Sequence, residues 1–154
     1  MTLSVSAQKN PYLDGSSGGP FTLILDWTAD GNGAVSTTVC STYAAAQLAL
    51  NLYLPQPTKL SGKLMSVETI PGASGVPATN PPAAGYSVAL NDKYGKDIMN
   101  GTLTNLSATA AEKQPAPATT LFIDSEITLV VAGAGGLSQG RVVVEFDEMG
   151  GHRF

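Results

Sequence analysis

The most suggestive chemistry in this chain of 154 residues is a glycine-flanked serine pair, Gly15-Ser16-Ser17-Gly18-Gly19-Pro20, the kind of setting in which hydrolases present a nucleophile. A serine attacks only when an imidazole takes its proton and a carboxylate holds that imidazole in place. The single histidine, His152, lies in a glycine-flanked terminal stretch, far along the chain from both serines. The missing base makes Ser16 and Ser17 part of a flexible segment, not a catalytic pair.

Asp26, Asp30 and Asn32, with Gly31 and Gly33, resemble the start of a calcium loop. Such a loop needs oxygen ligands at alternate positions and a glutamate at the twelfth. Counted from Asp30, the fifth position is Ala34 and the twelfth is Ser41, so the pattern fails after two ligands. Turn chemistry accounts for these residues instead. Asp92-Lys93-Tyr94-Gly95-Lys96-Asp97 is the densest charge cluster. It reads as a cation site between the two aspartates, as a partner contact through Tyr94, or as a solvated turn with Gly95 at positive φ, and turn chemistry favours the last. Asn100-Gly101-Thr102 and Asn105-Leu106-Ser107 match the glycosylation sequon, but the N-terminal residues lack the pattern of a secretory leader. The lone Cys40 has no partner for an internal disulfide and follows a β-branched run, as a small core hydrophobe would. These readings leave no catalytic residue, no metal ligand set and no cofactor site.

The elements that would position any site are strands. Phe21, Leu23, Leu25 and Trp27 alternate with Thr22, Ile24, Asp26 and Thr28, the period of a strand with one buried face. Asp30 to Gly33 turns the chain, and Val35 to Cys40 is expected to pair back as a hairpin. Lys63 to Ile70 alternates Met65, Val67 and Thr69 against Leu64, Ser66 and Glu68. Tyr86, Val88 and Leu90 form an inward face. Leu121 to Ser125, Ile127 to Ala132 and Arg141 to Phe146 supply three more strands. Ser41 to Leu54 is the one helical candidate, capped by Ser41 or Thr42 and stopped by Pro55 and Pro57. A strand over Leu48 to Leu54 is the alternative. Pro71 to Gly85 and Thr102 to Pro117 read as long loops.

This pattern predicts an all-β domain: a single antiparallel β-sandwich or barrel of about seven strands, with one short helix. Residues 1–20 are read as an extended N-terminal arm, 21–147 as the β-sandwich domain and 148–154 as a C-terminal tail. Charged residues are 13% of the chain, against roughly 25% in ordinary soluble domains. So lightly charged a surface suits a protein that packs against others. The formal net charge of −4, with isolated lysines and arginines, argues against nucleic acid as a partner. No apolar run approaches the roughly 20 residues of a membrane-spanning helix, so no membrane partner is expected.

One ordered set of residues carries a resemblance. Asp26-Trp27-Thr28, Gly33-Ala34-Val35-Ser36, Gly62 to Ile70 with Pro71-Gly72, Tyr86-Ser87-Val88-Ala89-Leu90, Asp92, Gly95, Asp97 and Gly101 follow in that order. Residues 21–146 thereby resemble a family of small structural proteins encoded among the head and tail genes of tailed bacteriophages, with a longer segment over 41–60. The resemblance implies a virion component, of head or tail, and the leading reading is a non-enzymatic protein of capsid decoration (cement) type. Such a protein would be assembled in the bacterial cytoplasm, sit on the capsid surface, bind the major capsid protein and form homo-oligomers. Pro11, Tyr12 and Leu13 of the arm, with Tyr94, are the expected partner contacts. The alternative is a tail, fibre or head–tail module that binds a receptor or glycan by stacking on Tyr12, Tyr43, Tyr53, Tyr86 or Tyr94.

Overall fold

The computed structural model describes residues 2–9, 19–31, 35–39, 60–92, 94–117, 121–125 and 127–148, and the helical candidate over 41–54 lies outside them. Within these residues the chain forms nine strands: β1 (Thr2–Lys9), β2 (Gly19–Thr28), β3 (Val35–Val39), β4 (Leu60–Pro71), β5 (Ser87–Asn91), β6 (Glu112–Pro115), β7 (Leu121–Ser125), β8 (Ile127–Ala132) and β9 (Gln139–Glu148). A single 3-10 turn, Ala73–Gly75, follows β4. The strands make two antiparallel sheets and no closed barrel, the all-β architecture that the alternation predicts. The larger sheet runs β1-β2-β9-β4-β6, with β7 also on β4; the smaller runs β3-β8-β5.

The two strands beyond the expected seven both lie at the rim of the larger sheet. β1 pairs with β2 along its whole length, from Thr2 opposite Thr28 to Lys9 opposite Phe21. The reading of 1–20 as an arm is therefore corrected for 2–9, which belong to the sheet; 10–18 lie outside the described residues. β6 sits inside the stretch expected to be a loop and pairs its four residues with Ser66 to Thr69. The expected hairpin between β2 and β3 is also corrected. β3 leaves its neighbour in sequence and pairs with β8 in the other sheet.

The core fills the space between the sheets. From the larger sheet come Leu23, Leu25 and Trp27 of β2, Leu64 and Val67 of β4, and Val142 and Val144 of β9. The smaller sheet supplies Val88, Leu90, Leu129 and Val131, joined by Tyr86 and by Ile98, Met99, Leu103 and Leu106 from the following loop. Burying each such aliphatic side chain contributes about 1.5–3 kcal/mol before chain entropy is set against it. β4 departs from simple alternation. A register shift between Leu64 and Ser66, opposite Phe146 and Glu145 of β9, adds one residue and reverses the phase. Leu64, Val67 and Thr69 are buried, while Met65 is half exposed, so Met65 does not share a face with Val67 as alternation alone suggests.

Two side chains bridge the sheets at the centre. The ring centroids of Trp27 and Tyr86 lie 6.1 Å apart with planes inclined at 50°, a tilted geometry that aromatic pairs favour. The Tyr86 hydroxyl lies within reach of Thr69 of β4. Burial pushes this phenol up to about 12; Thr69 pulls it down and Glu112 pushes it up further. A pKa higher in the folded state than in the unfolded one favours the fold fully below pH 10, and this contribution disappears as pH rises toward 12. Stability should fall by about 2–3 kcal/mol across that window. Thermal melting at several alkaline pH values is expected to show a flatter dependence in Tyr86→Phe than in the parent. Equal slopes would exclude Tyr86 as the source.

Candidate functional site

With the strands in place, the described residues present their chemistry at two ends of the domain. At one end, β5 stops at Asn91 and the chain turns through Asp92 to Asp97. The Asp92 carboxylate accepts the amides of Tyr94 at 2.8 Å and Lys96 at 3.0 Å, and Gly95 takes φ +80°. Asp97 accepts three more amides through its two oxygens: Leu90 at 3.2 Å, Met99 at 3.0 Å and Gly101 at 2.8 Å. Both carboxylates are thus turned toward backbone donors, as aspartates in tight turns commonly are. The arrangement fits the turn reading. Among the described residues, no group of three or more His, Cys, Asp or Glu is placed to hold a metal. Asp97→Ala leaves three amides without their acceptor and is expected to cost about 1–3 kcal/mol in thermal or denaturant unfolding. An unchanged midpoint would show that water replaces the carboxylate at no cost.

These bonds fix the backbone that carries Tyr94, whose side chain is 83% exposed. Of the expected partner contacts it is the only described one; Pro11, Tyr12 and Leu13 lie outside the described residues, as do Ser16, Ser17, Cys40 and His152. Tyr86 is removed from any stacking platform because it is buried in the core. Asn100 and Asn105, the sequon asparagines, take φ of 52° and 53°. The left-handed conformation is one that asparagine tolerates better than most residues, which gives both positions a backbone role.

The other end is built by the turn from β8 to β9, the loop after β4 and the residues after β2. The Leu137 amide donates to the Asp30 carbonyl at 3.0 Å, Ala29 to Ser138 at 2.8 Å, and Gly72 to Gln139 at 2.8 Å. Asn80 and Gln139 are linked by the Gln139 amide bonding the Asn80 carbonyl at 2.9 Å and by their side chains at 3.3 Å. On this framework Leu137 is 68% exposed and Val76 is 52% exposed. Leu137 also takes φ +58°, a conformation that costs a branched L-residue roughly 1–2 kcal/mol. No compensating burial accompanies that cost. Nothing in the sequence reading singled out Leu137 or Val76; the only signal for Leu137 is an apolar residue directly after Gly135-Gly136 in a turn.

Between the two ends, the outer face of the larger sheet carries two cross-strand ion pairs among the described residues. Arg141 grips Asp26 through two hydrogen bonds of 2.6 and 3.0 Å across the β2–β9 pair, and this partner raises the guanidinium's pKa further. Glu145 accepts from Lys113 at 3.4 Å and from Ser66 at 3.3 Å. Half-buried Ile24 and Val143 lie side by side in the β2–β9 register, between these pairs. Among the described residues no helix is long and apolar enough to cross a membrane. Comparison with protein-family models, with curated proteins and with solved structures finds no match to this chain.

Proposed function

We propose that this chain is a structural protein of a tailed-bacteriophage virion, one that decorates and stabilises the capsid by binding the major capsid protein and associating with itself. The observation that carries the reading is the pair of exposed apolar groups on rigid turns at opposite ends of one small domain. Tyr94 lies beyond the end of β5, where Asn91 pairs with Thr128; Leu137 follows the far end of β8. A domain with a hydrophobic contact at each end can bridge two neighbours in a shell. Hot spots at interfaces are commonly aromatic groups held on fixed backbone. A light surface charge and two sheets packed without a cofactor fit the same role. Of the five tyrosines of the glycan-binding alternative, Tyr86 is in the core, Tyr94 is exposed, and Tyr12, Tyr43 and Tyr53 lie outside the described residues.

The reading is tested by adding the purified full chain to heads that lack it and measuring occupancy by co-sedimentation and imaging. Tyr94→Ala and Leu137→Ala are each expected to weaken binding by about tenfold or more. Leu137→Gly is the sharper variant. Glycine relieves the left-handed backbone, so this protein should melt no lower than the parent yet bind as poorly as the alanine form. Full occupancy by these variants, or no binding by the parent to any head, overturns the reading.

A further inference from the structure

Sheet edges are hazards, and proteins blunt them with short strands, charges, prolines or covering loops. This chain does so at most of its edges. The outer side of β5 is covered by the loop that follows it: Val88 donates to Leu103 at 2.9 Å, Leu90 to the Asp97 carboxylate at 3.2 Å, Ile98 to Leu90 at 2.8 Å and Leu106 to Tyr86 at 2.9 Å. β6 is four residues long and carries Glu112, Lys113 and Pro115. β7 has five residues with Asp124 among them, and its pairing with β4 is irregular. β3 offers five residues. β1 is different. It runs for eight residues with no register shift, contains no proline and no acid, and has its only charge at the last position, Lys9. Among the described residues no strand pairs with its outer side.

The sequence of β1 also fits itself. Leu3, Val5 and Ala7 share register with the buried Trp27, Leu25 and Leu23, whereas Ser4 and Ser6 share register with Asp26 and Ile24 on the outer face. Two copies laid antiparallel about a two-fold axis through Val5 pair Val5 with Val5, Leu3 with Ala7, Ser4 with Ser6 and Thr2 with Gln8. Like meets like at each position, Lys9 falls outside the paired stretch, and both cores stay on the same side of one continuous sheet. No other charge opposes the contact. Closed two-fold interfaces of this self-matching kind are the commonest in homo-oligomers.

We propose that β1 is the self-association edge of this protein, joining two copies of the chain in antiparallel register centred on Val5. The inference gives the self-associating structural role its interface, and its test needs no capsid, so the two fail separately. The full chain is expected to show a concentration-dependent monomer–dimer equilibrium in analytical ultracentrifugation. The double change Ser4→Lys with Ser6→Lys places lysine opposite lysine twice across the two-fold axis. It is expected to weaken the dimer by about tenfold or more, since like charges directly opposed across strands repel. Ser4→Glu with Ser6→Glu should do the same. An equimolar mixture of the two variants should dimerise again, and more tightly at low salt than at high salt. Restoration on mixing also shows that both variants are folded. A parent that stays monomeric at high concentration, variants that dimerise as the parent does, or a mixture that stays monomeric would each overturn the proposal.

Discussion

Trp27→Ala is expected to leave little folded protein. Trp27 is 2% exposed, stands on β2 beside the fully buried Leu25, and meets Tyr86 from the opposite sheet. Truncating a core tryptophan costs about 3–5 kcal/mol, a large share of the roughly 5–15 kcal/mol that holds a domain of this kind together. Thr28, the next residue, turns to the outer face, where its hydroxyl accepts a bond of 3.1 Å from Gln139. Thr28→Ala should therefore cost no more than about 1 kcal/mol. Thermal melting of both full-length variants provides the comparison. A Trp27→Ala protein with an unchanged midpoint would show that the indole contributes nothing to the core.

The second large effect comes from a residue with no side chain. Gly140 is the cross-strand partner of Trp27 in the β2–β9 pair, and the indole lies over it. A β-carbon at Gly140 would fall on Trp27 Cζ2, 2.7 Å from Cε2 and 2.9 Å from Nε1. Gly140→Ala should therefore cost about 1–3 kcal/mol by overpacking. A double-mutant cycle separates this from any effect on the backbone. In a Trp27→Leu background the clash is gone, and alanine gains the roughly 0.5–1 kcal/mol that glycine forfeits within a strand. The sign should reverse: Gly140→Ala destabilises the parent and stabilises, or leaves unchanged, the Trp27→Leu protein. Equal costs in both backgrounds would mean that the indole does not set the requirement for glycine.

The strands that were legible in the sequence are those with one face fully buried. Leu23, Leu25 and Trp27, Tyr86, Val88 and Leu90, and Val142 with Val144 all alternate because burial selects every second position. The bulge in β4 left no such trace, because Leu64 and Met65 are equally apolar and composition cannot say which of two adjacent hydrophobes is the extra one. β6 is written Glu-Lys-Gln-Pro and lacks the apolar alternation, because the inward positions of this edge strand, Glu112 and Gln114, are only half-buried and accept polar residues. The partner of β3 was hidden for another reason. Asp30-Gly31 suits a hairpin as well as a loop between sheets, and the choice is made by β8, 96 residues away (131 − 35) in the register of Val35 with Val131. At the candidate site, Tyr94 was legible because a turn rich in Asp and Gly displays its aromatic residue. Leu137 was not, because its φ is a property of the folded turn.

The place of β9 in the larger sheet has a consequence for how the protein is made. It lies between β2 and β4, bonded to both along most of its length, yet among the described residues it is the last strand to be made. Thr28 and Gln139, paired in register, stand 111 residues apart (139 − 28), so the β2–β9 ladder cannot close until that whole stretch has been translated. At about 5–20 residues per second, the first strands wait on the order of ten seconds for their neighbour. During that interval β1 and β2 can form only a local hairpin, and the side of β2 that β9 will occupy stays open to other chains. A ribosome that stopped before residue 139 would release β2 and β4 with nothing to join them. Crowded expression should therefore penalise this protein through its unfinished chains, and slower initiation, which spaces them apart, should raise the soluble yield.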